Sequence, residues 1–248
     1  MDKVRISAIS YLNSIPFVYG IQNSSFSFDI DLSLNIPSDC YKKILNNEVD
    51  IALVPIVALN QSKNLKIISS YCIASDGCVE TVCLFSQVPL NKIKRILLDF
   101  HSKTSIQLLK LLCLNYWKIN VEFLKTDLGF EQNIIDETAA LVIGDRAYKY
   151  KNQFKHVYDL SYEWKKFTNY PFVFACWVAN KKIPIKFINE FNNSLKFGLD
   201  NLDIALKRKS NKFKTTIDKE NYLKNIIKYN MDNKMKSAIN FFINKKIF

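Results

Sequence analysis

The chain has 248 residues, of which 48% are hydrophobic, 13% aromatic and 23% charged; this excludes a disordered chain and a disulfide-stapled miniprotein, and leaves one large domain or two modest ones. The 35 Lys+Arg against 23 Asp+Glu give a net charge of +12, yet residues 181–248 alone hold 16 basic and 6 acidic side chains, so the basicity belongs to the tail. No apolar run approaches the roughly 18 residues of a membrane span, and Met1-Asp2-Lys3-Val4-Arg5 leads straight into Ile6 to Ile9 without a signal-peptide pattern, so an unanchored, cytoplasmic protein is expected.

In chain order, short β-branched apolar runs alternate with helical spacing, the pattern of an α/β protein with mostly parallel sheets. Strands are predicted at 4–9, 30–34, 51–54, 65–68, 79–85, 96–99, 121–124, 140–143, 157–160 and 172–178. Helices are predicted after Pro16, from Ser38 or Asp39 through Leu45, over 104–117, and through most of 184–206 and 221–243. Two of the strands, Thr81 to Ser86 and Pro171 to Val178, are apolar and long enough to cross between lobes. That predicts one lobe from residues 1–87 plus 171–248, a second from 88–170, and a cleft between them. In the tail, Lys alternates with Phe187, Phe191, Leu195, Gly198-Leu199, Ile239, Phe242 and Ile243. This reads as the Lys-covered outer face of packed helices, and neither a nucleic-acid nor a membrane partner is expected.

Three segments bring polar groups to strand ends, where open α/β sheets bind ligands. Ser10-Tyr11-Leu12-Asn13-Ser14-Ile15-Pro16 leaves the first strand; there Asn13 or Ser14 either caps the next helix or Asn13 reaches into the cleft as a neutral hydrogen-bonding group. Arg95 to Ser105 reads strand, hydroxyl-rich loop, helix. Its Ser102, Thr104 and Ser105 hydroxyls, Lys103 and unpaired N–H groups suit a carboxylate or phosphate, the alternative being an ordinary cap with a solvated lysine. Ser75-Asp76-Gly77 and Gly144-Asp145-Arg146 are plain turns or cleft-facing groups, and Asp145 is also a candidate cap. No Walker or Gly-x-Gly-x-x-Gly pattern supports a nucleotide cofactor. Six cysteines without a Cys-x-x-Cys pair read as reduced, mostly buried thiols, and with His101 and His156 far apart no metal is expected.

Taken together, Ile9 to Pro16, Asp50-Ile51-Ala52-Leu53-Val54-Pro55, Ser102-Lys103-Thr104-Ser105, Leu141-Val142-Ile143-Gly144-Asp145, Glu163-Trp164 and Pro171 to Ala175 carry a family resemblance over residues 4–180. The chain resembles the chorismate dehydratases of the futalosine route to menaquinone, departing from them at Lys103, where Arg is common, and at Cys78 and Asn169-Tyr170. The resemblance implies a periplasmic-binding-protein type II-like fold, two α/β lobes with a central cleft. It also implies loss of water from chorismate, a small dicarboxylate, to give 3-[(1-carboxyvinyl)oxy]benzoate without a cofactor. Asn13 and Ser75 would then be catalytic, and Ser10, Tyr11, Pro55, Asp76, Thr81, Ser102, Lys103, Thr104, Ser105 and Asp145 would bind substrate. The base stays open among Asp76, Asp145 and a carboxylate of the substrate itself. Two rivals share the architecture: a dihydroxynaphthoate synthase-like lyase, whose characteristic opening differs from Ser-Tyr-Leu-Asn, and a non-catalytic binding protein for a small dicarboxylate.

Overall fold

The computed structural model describes residues 3–62, 64–209 and 218–245; residues 1–2, 63, 210–217 and 246–248, which include the opening dipeptide and parts of the basic tail, lie outside the described residues. The chain begins β1 (Lys3–Ile9), α1 (Ile15–Gln22), β2 (Asp29–Asn35), α2 (Pro37–Leu45), β3 (Ile51–Pro55), α3 (Ala58–Gln61) and β4 (Lys66–Ser75). It continues through β5 (Val82–Ser86), β6 (Arg95–Leu98), α4 (Lys103–Leu111), β7 (Glu122–Lys125), β8 (Thr138–Ile143), α5 (Asp145–Tyr150), β9 (His156–Asp159) and α6 (Leu160–Thr168). The last stretch is β10 (Phe172–Ala179), α7 (Ile185–Asp200), α8 (Leu202–Lys209), α9 (Lys219–Asn221), β11 (Lys228–Asn230) and α10 (Asn233–Asn244).

The strands form two sheets, ordered β11-β4-β10-β3-β1-β2 and β7-β6-β8-β5-β9. β3, Ile-Ala-Leu-Val-Pro, is buried at every position, as expected of an interior strand covered on both faces. Pairing is parallel for β1 with β2 and β3 and for β6 with β7 and β8. It is antiparallel where β10 meets β3 and β4, where β11 meets β4, and where β5 meets β8 and β9. The expectation of mostly parallel sheets is therefore corrected to mixed sheets, for a topological reason. β4 ends at the same edge as β3, and the chain crosses to the second sheet there through residues 76–81, so β5 must start at that edge and run away from it. β9 returns to the edge, α6 follows, and β10 again starts at the edge and runs back.

Neither β5 nor β10 crosses between sheets, contrary to the sequence expectation: β5 lies wholly in the second sheet and β10 wholly in the first. The passage out of the first sheet consequently falls at 76–81 and not after residue 87. The helix predicted over 221–243 is also corrected. Tyr222–Ile226 forms one π-helical turn, β11 pairs with β4 through Lys228↔Ala74 and Asn230↔Tyr71, and only α10 is a long helix.

The tail helices cover the first sheet with their apolar stripes. α7 buries Phe187, Phe191, Leu195 and Gly198, and Phe191 meets the central Trp177 ring edge-on at 5.0 Å between centroids. α7 also crosses α1 at two glycines: a Cβ on Gly198 would lie 1.9 Å from the Pro16 carbonyl oxygen, and one on Gly20 would lie 2.0 Å from that of Ser194. This backbone approach fixes the helix that directly follows the Asn13 loop. Gly198→Ala is expected to force the helices apart and to cost about 1–3 kcal/mol or more, read as a lowered denaturation midpoint; an unchanged midpoint would contradict the close crossing.

Candidate functional site

The crossings bring the carboxyl ends of β1, β3, β6 and β8 and the amino ends of β5 and β10 to the same edges of their sheets, and a narrow cleft of about 50 Å³, partly open to solvent, lies between those edges. Its wall is mostly apolar: Ile73, Val79, Val82, Ile143 and Phe174 contribute most of it. Asn13, Thr81, Ser102, Ser105 and the ring of Tyr11 supply polar groups from both sheets and from the connector.

Local geometry explains how each group arrives there. Neither Asn13 nor Ser14 caps α1. Ser14 occupies the N-cap without a side-chain bond, while its hydroxyl donates to Asn13 Oδ1 at 3.3 Å, so the Asn13 carboxamide stands on the cleft wall. Ser102 does cap α4, accepting the Ser105 N–H at 3.3 Å, and Ser105 Oγ donates to the same oxygen at 3.2 Å. The remaining N–H groups of the first turn have no acceptor within the helix, which makes the start of α4 favourable for an anion. Thr104 points the other way: buried, it accepts the Val57 N–H at 3.4 Å.

Tyr11 crosses the gap and lies on Gly144, whose φ of +74° suits glycine and where a Cβ would meet the ring at 3.1 Å. The Tyr11 hydroxyl is buried without a hydrogen-bond partner in the protein, and burial above all pushes its pKa well beyond the tyrosine range. Behind it, Asp99 is wholly buried and accepts the Ile143 N–H at 2.9 Å, the His101 N–H at 3.0 Å and the Arg146 guanidinium. Arg146 also holds Glu131 at 2.7 Å. Burial lowers the His101 pKa against the pull of Asp99. With imidazole neutral, the cluster sets one cation against two carboxylates and offers no excess positive charge.

Among the residues read from the sequence, the structure brings Tyr11, Asn13, Pro55, Thr81, Ser102 and Ser105 together on the cleft wall. The other six lie off that wall. Ser10 is exposed and its N–H donates to the Asn35 carbonyl at 2.9 Å. Ser75 is buried against Ser161, Oγ to Oγ 2.6 Å. Asp76 is exposed and paired with Lys165 at 2.6 Å. Lys103 is exposed with its ammonium 5.2 Å above the Tyr41 ring, and Thr104 faces Val57. Asp145 accepts the Leu12 N–H at 3.1 Å, tying the first turn of α5 to the loop after β1. The apolar wall was not picked out from the sequence, although Ile143, Gly144 and Phe174 stand inside the segments quoted above. Among the described residues no group of three His, Cys, Asp or Glu side chains is placed to hold a metal ion.

Burial pushes the Asp145 carboxyl up to about 6, the Leu12 N–H offsetting part of the effect. A carboxyl raised from its unfolded value of 3.8 stabilises the fold fully below that pH and loses its contribution as pH rises through about 6. Asp50 acts in the opposite sense: burial alone would raise it, but Arg5 and Lys181 outweigh burial and hold it at about 2. The difference between wild type and Asp145→Asn isolates the first effect. The wild type is expected to lose up to about 3 kcal/mol relative to the variant between pH 4 and 7, measured by urea unfolding; parallel stability curves would contradict the burial of this carboxylate.

A family model described as menaquinone biosynthesis matches residues 4–246. The chorismate dehydratase of Thermus thermophilus is 29% identical over 167 residues, 60% of this chain and 61% of that protein, so the match spans less than two thirds of the relative's length. Among solved structures, protein AF1704 from Archaeoglobus fulgidus superposes with a TM-score of 0.79 at 17% identity, covering 97% of this chain and 95% of that one. The periplasmic aliphatic sulphonate binding protein SsuA from Escherichia coli gives 0.66 at 12% identity, covering 100% and 95%. These two show the fold alone, which is that of the periplasmic binding proteins.

Proposed function

The chain belongs to the menaquinone biosynthesis family, and from that premise we propose that it is a chorismate dehydratase, a lyase that removes water from chorismate to give 3-[(1-carboxyvinyl)oxy]benzoate. The observation that carries the reading is the cleft: a mostly apolar slot lined from both sheets, with an anion-favouring helix start and uncharged hydrogen-bonding groups on its wall. The similarity to the Thermus thermophilus enzyme supports it.

The reaction breaks one ring C–H bond, at the ether-bearing carbon, and one C–O bond; the proton and hydroxide leave as water while the ring becomes aromatic. Aromatisation supplies the driving force, so the protein's part is positioning and electrostatics. One substrate carboxylate sits at the start of α4, hydrogen-bonded by the free N–H groups and by the Ser102 hydroxyl, which Ser105 holds in place. Ile73, Val79, Val82, Ile143 and Phe174 hold the ring and exclude water. Asn13 and Thr81 take the departing hydroxyl, and the Tyr11 side chain also lines the slot. Lys103, exposed at the helix start, acts on the same carboxylate through its field alone.

The proton goes to a carboxylate. Asp76 is exposed and paired with Lys165, and Asp145 is occupied by the Leu12 N–H and stands off the cleft wall, so we assign the base to the second carboxylate of the substrate, desolvated in the slot. Closure of the two sheets over the substrate, with residues 76–81 and 169–171 as the passages that flex, completes the site. A cytoplasmic setting is supported by six free cysteines, five of them buried.

Incubation of the purified protein with chorismate is expected to give the enolpyruvyl benzoate, followed by its aromatic absorbance; no product under any tested condition would refute the activity. Asn13→Ala is expected to lower kcat about a hundredfold with little change in stability, because the side chain caps no helix. Asp145→Asn keeps the acceptor for Leu12 and is expected to keep kcat within tenfold. A loss of about a thousandfold would move the base to Asp145.

A further inference from the structure

Two tyrosines from the tail reach the underside of the site. Tyr222 lies in the π-helical turn Tyr222–Ile226, and Tyr229 lies on the short edge strand β11. Both are buried, at 1% and 8% exposure, although their segment belongs to a lysine-rich tail that covers the outside of the first sheet. A buried phenol needs a partner for its hydroxyl. Tyr222 Oη is 2.9 Å from Thr81 Oγ1, and Tyr229 Oη donates to the Asn13 carbonyl at 3.0 Å. Their partners are thus the two residues that stand on the cleft wall as neutral hydrogen-bonding groups. Phenylalanine at either position would fill the same space, and Tyr229 already packs edge-on against Phe17 at 5.2 Å. The hydroxyls therefore add direction where packing alone would suffice for the core.

The arrangement holds each cleft residue at a different point. Tyr229 fixes the backbone of the Asn13 loop through its carbonyl, while β11 is itself anchored by pairing with β4. Tyr222 meets the Thr81 hydroxyl, whose other contact, to the Val79 carbonyl, is long at 3.4 Å. π-Helical turns of this kind are often found at functional sites, because the extra residue re-aims a side chain.

We infer that Tyr222 and Tyr229 are positioning residues: through their hydroxyls the tail orients Thr81 and Asn13 toward the substrate in the cleft. The turnover readout of this inference rests on the dehydratase reading. The test compares full-length Tyr222→Phe and Tyr229→Phe with wild type, and with Tyr158→Phe, which removes a phenol oxygen that accepts the Leu90 N–H at 3.2 Å far from the cleft. For the two tail variants, kcat is expected to fall about 10- to 100-fold with KM within threefold and an unfolding midpoint close to that of Tyr158→Phe. The control is expected to keep wild-type kcat. Crystal structures of the two variants give a readout independent of turnover: a rotated Thr81 side chain and a shifted Asn13 loop are expected. Wild-type kcat in both variants, or Thr81 and Asn13 unmoved in both crystals, would overturn the inference. A wild-type protein inactive on chorismate would refute the dehydratase reading instead, and the crystal comparison would still decide the positioning role.

Discussion

The carboxylate of Asp159 accepts four backbone N–H groups: Val79 at 2.9 Å and Glu80 at 2.6 Å in the connector out of the first sheet, Ser161 at 3.0 Å and Tyr162 at 3.1 Å at the start of α6 on the way back. The connector out of the first sheet is thereby tied to the start of α6. Burial, the larger influence, raises the pKa of this carboxyl, and the four donors work against that rise. Thr81 follows the pinned segment directly, and Ser75 and Ser161 meet beside it. The spacing of the cleft walls is therefore set by a side chain that does not itself stand on the wall.

The site that results divides its labour by chemical type. Apolar side chains at strand ends form most of the slot, and polar contacts come from neutral groups and from a helix start, with the Arg146 cation paired to Asp99 and Glu131. Such a site favours an anion through oriented N–H dipoles without a bare charge that would trap the product. Neutral donors also suit an elimination in which the substrate brings its own carboxylates. The tail contributes from beneath: α7 fixes α1 by backbone contact, and the two tyrosines meet Asn13 and Thr81. Most of its described lysines are exposed to solvent.

Much of this was legible in the sequence because strands leave a local mark. Runs such as Ile51 to Pro55 and Phe172 to Ala179 are β-branched or aromatic and bounded by polar residues, so nine of the eleven strands among the described residues were located within three residues at each end, while β4, expected at 65–68, runs on to Ser75. The helix start at Ser102 was readable for the same reason, as a cap next to an apolar stripe. What remained hidden depends on partners distant in the chain. β11 has only three residues, and its apolar neighbours Ile226, Ile227, Tyr229 and Met231 fit helical spacing as well as strand spacing; only β4 decides between them. The direction of β5 and β10 depends on where the chain changes sheets, which no local pattern records. Ser75 and Asp76 read as site residues because they precede a crossing, yet Ser161 and Lys165 of α6 occupy them. Asp159 looks like an ordinary helix cap, and its grip on Val79 and Glu80 comes from a segment some 80 residues earlier.

The central claim is that one substrate is held by groups from both sheets at once. A crystal structure with 3-[(1-carboxyvinyl)oxy]benzoate bound tests it most directly. The account predicts the aromatic ring between Ile73, Val82, Ile143 and Phe174, one carboxylate at the Ser102 end of α4, and the ring edge toward Asn13 and Thr81. A product molecule seated on one sheet alone, or with neither carboxylate at the start of α4, would contradict it.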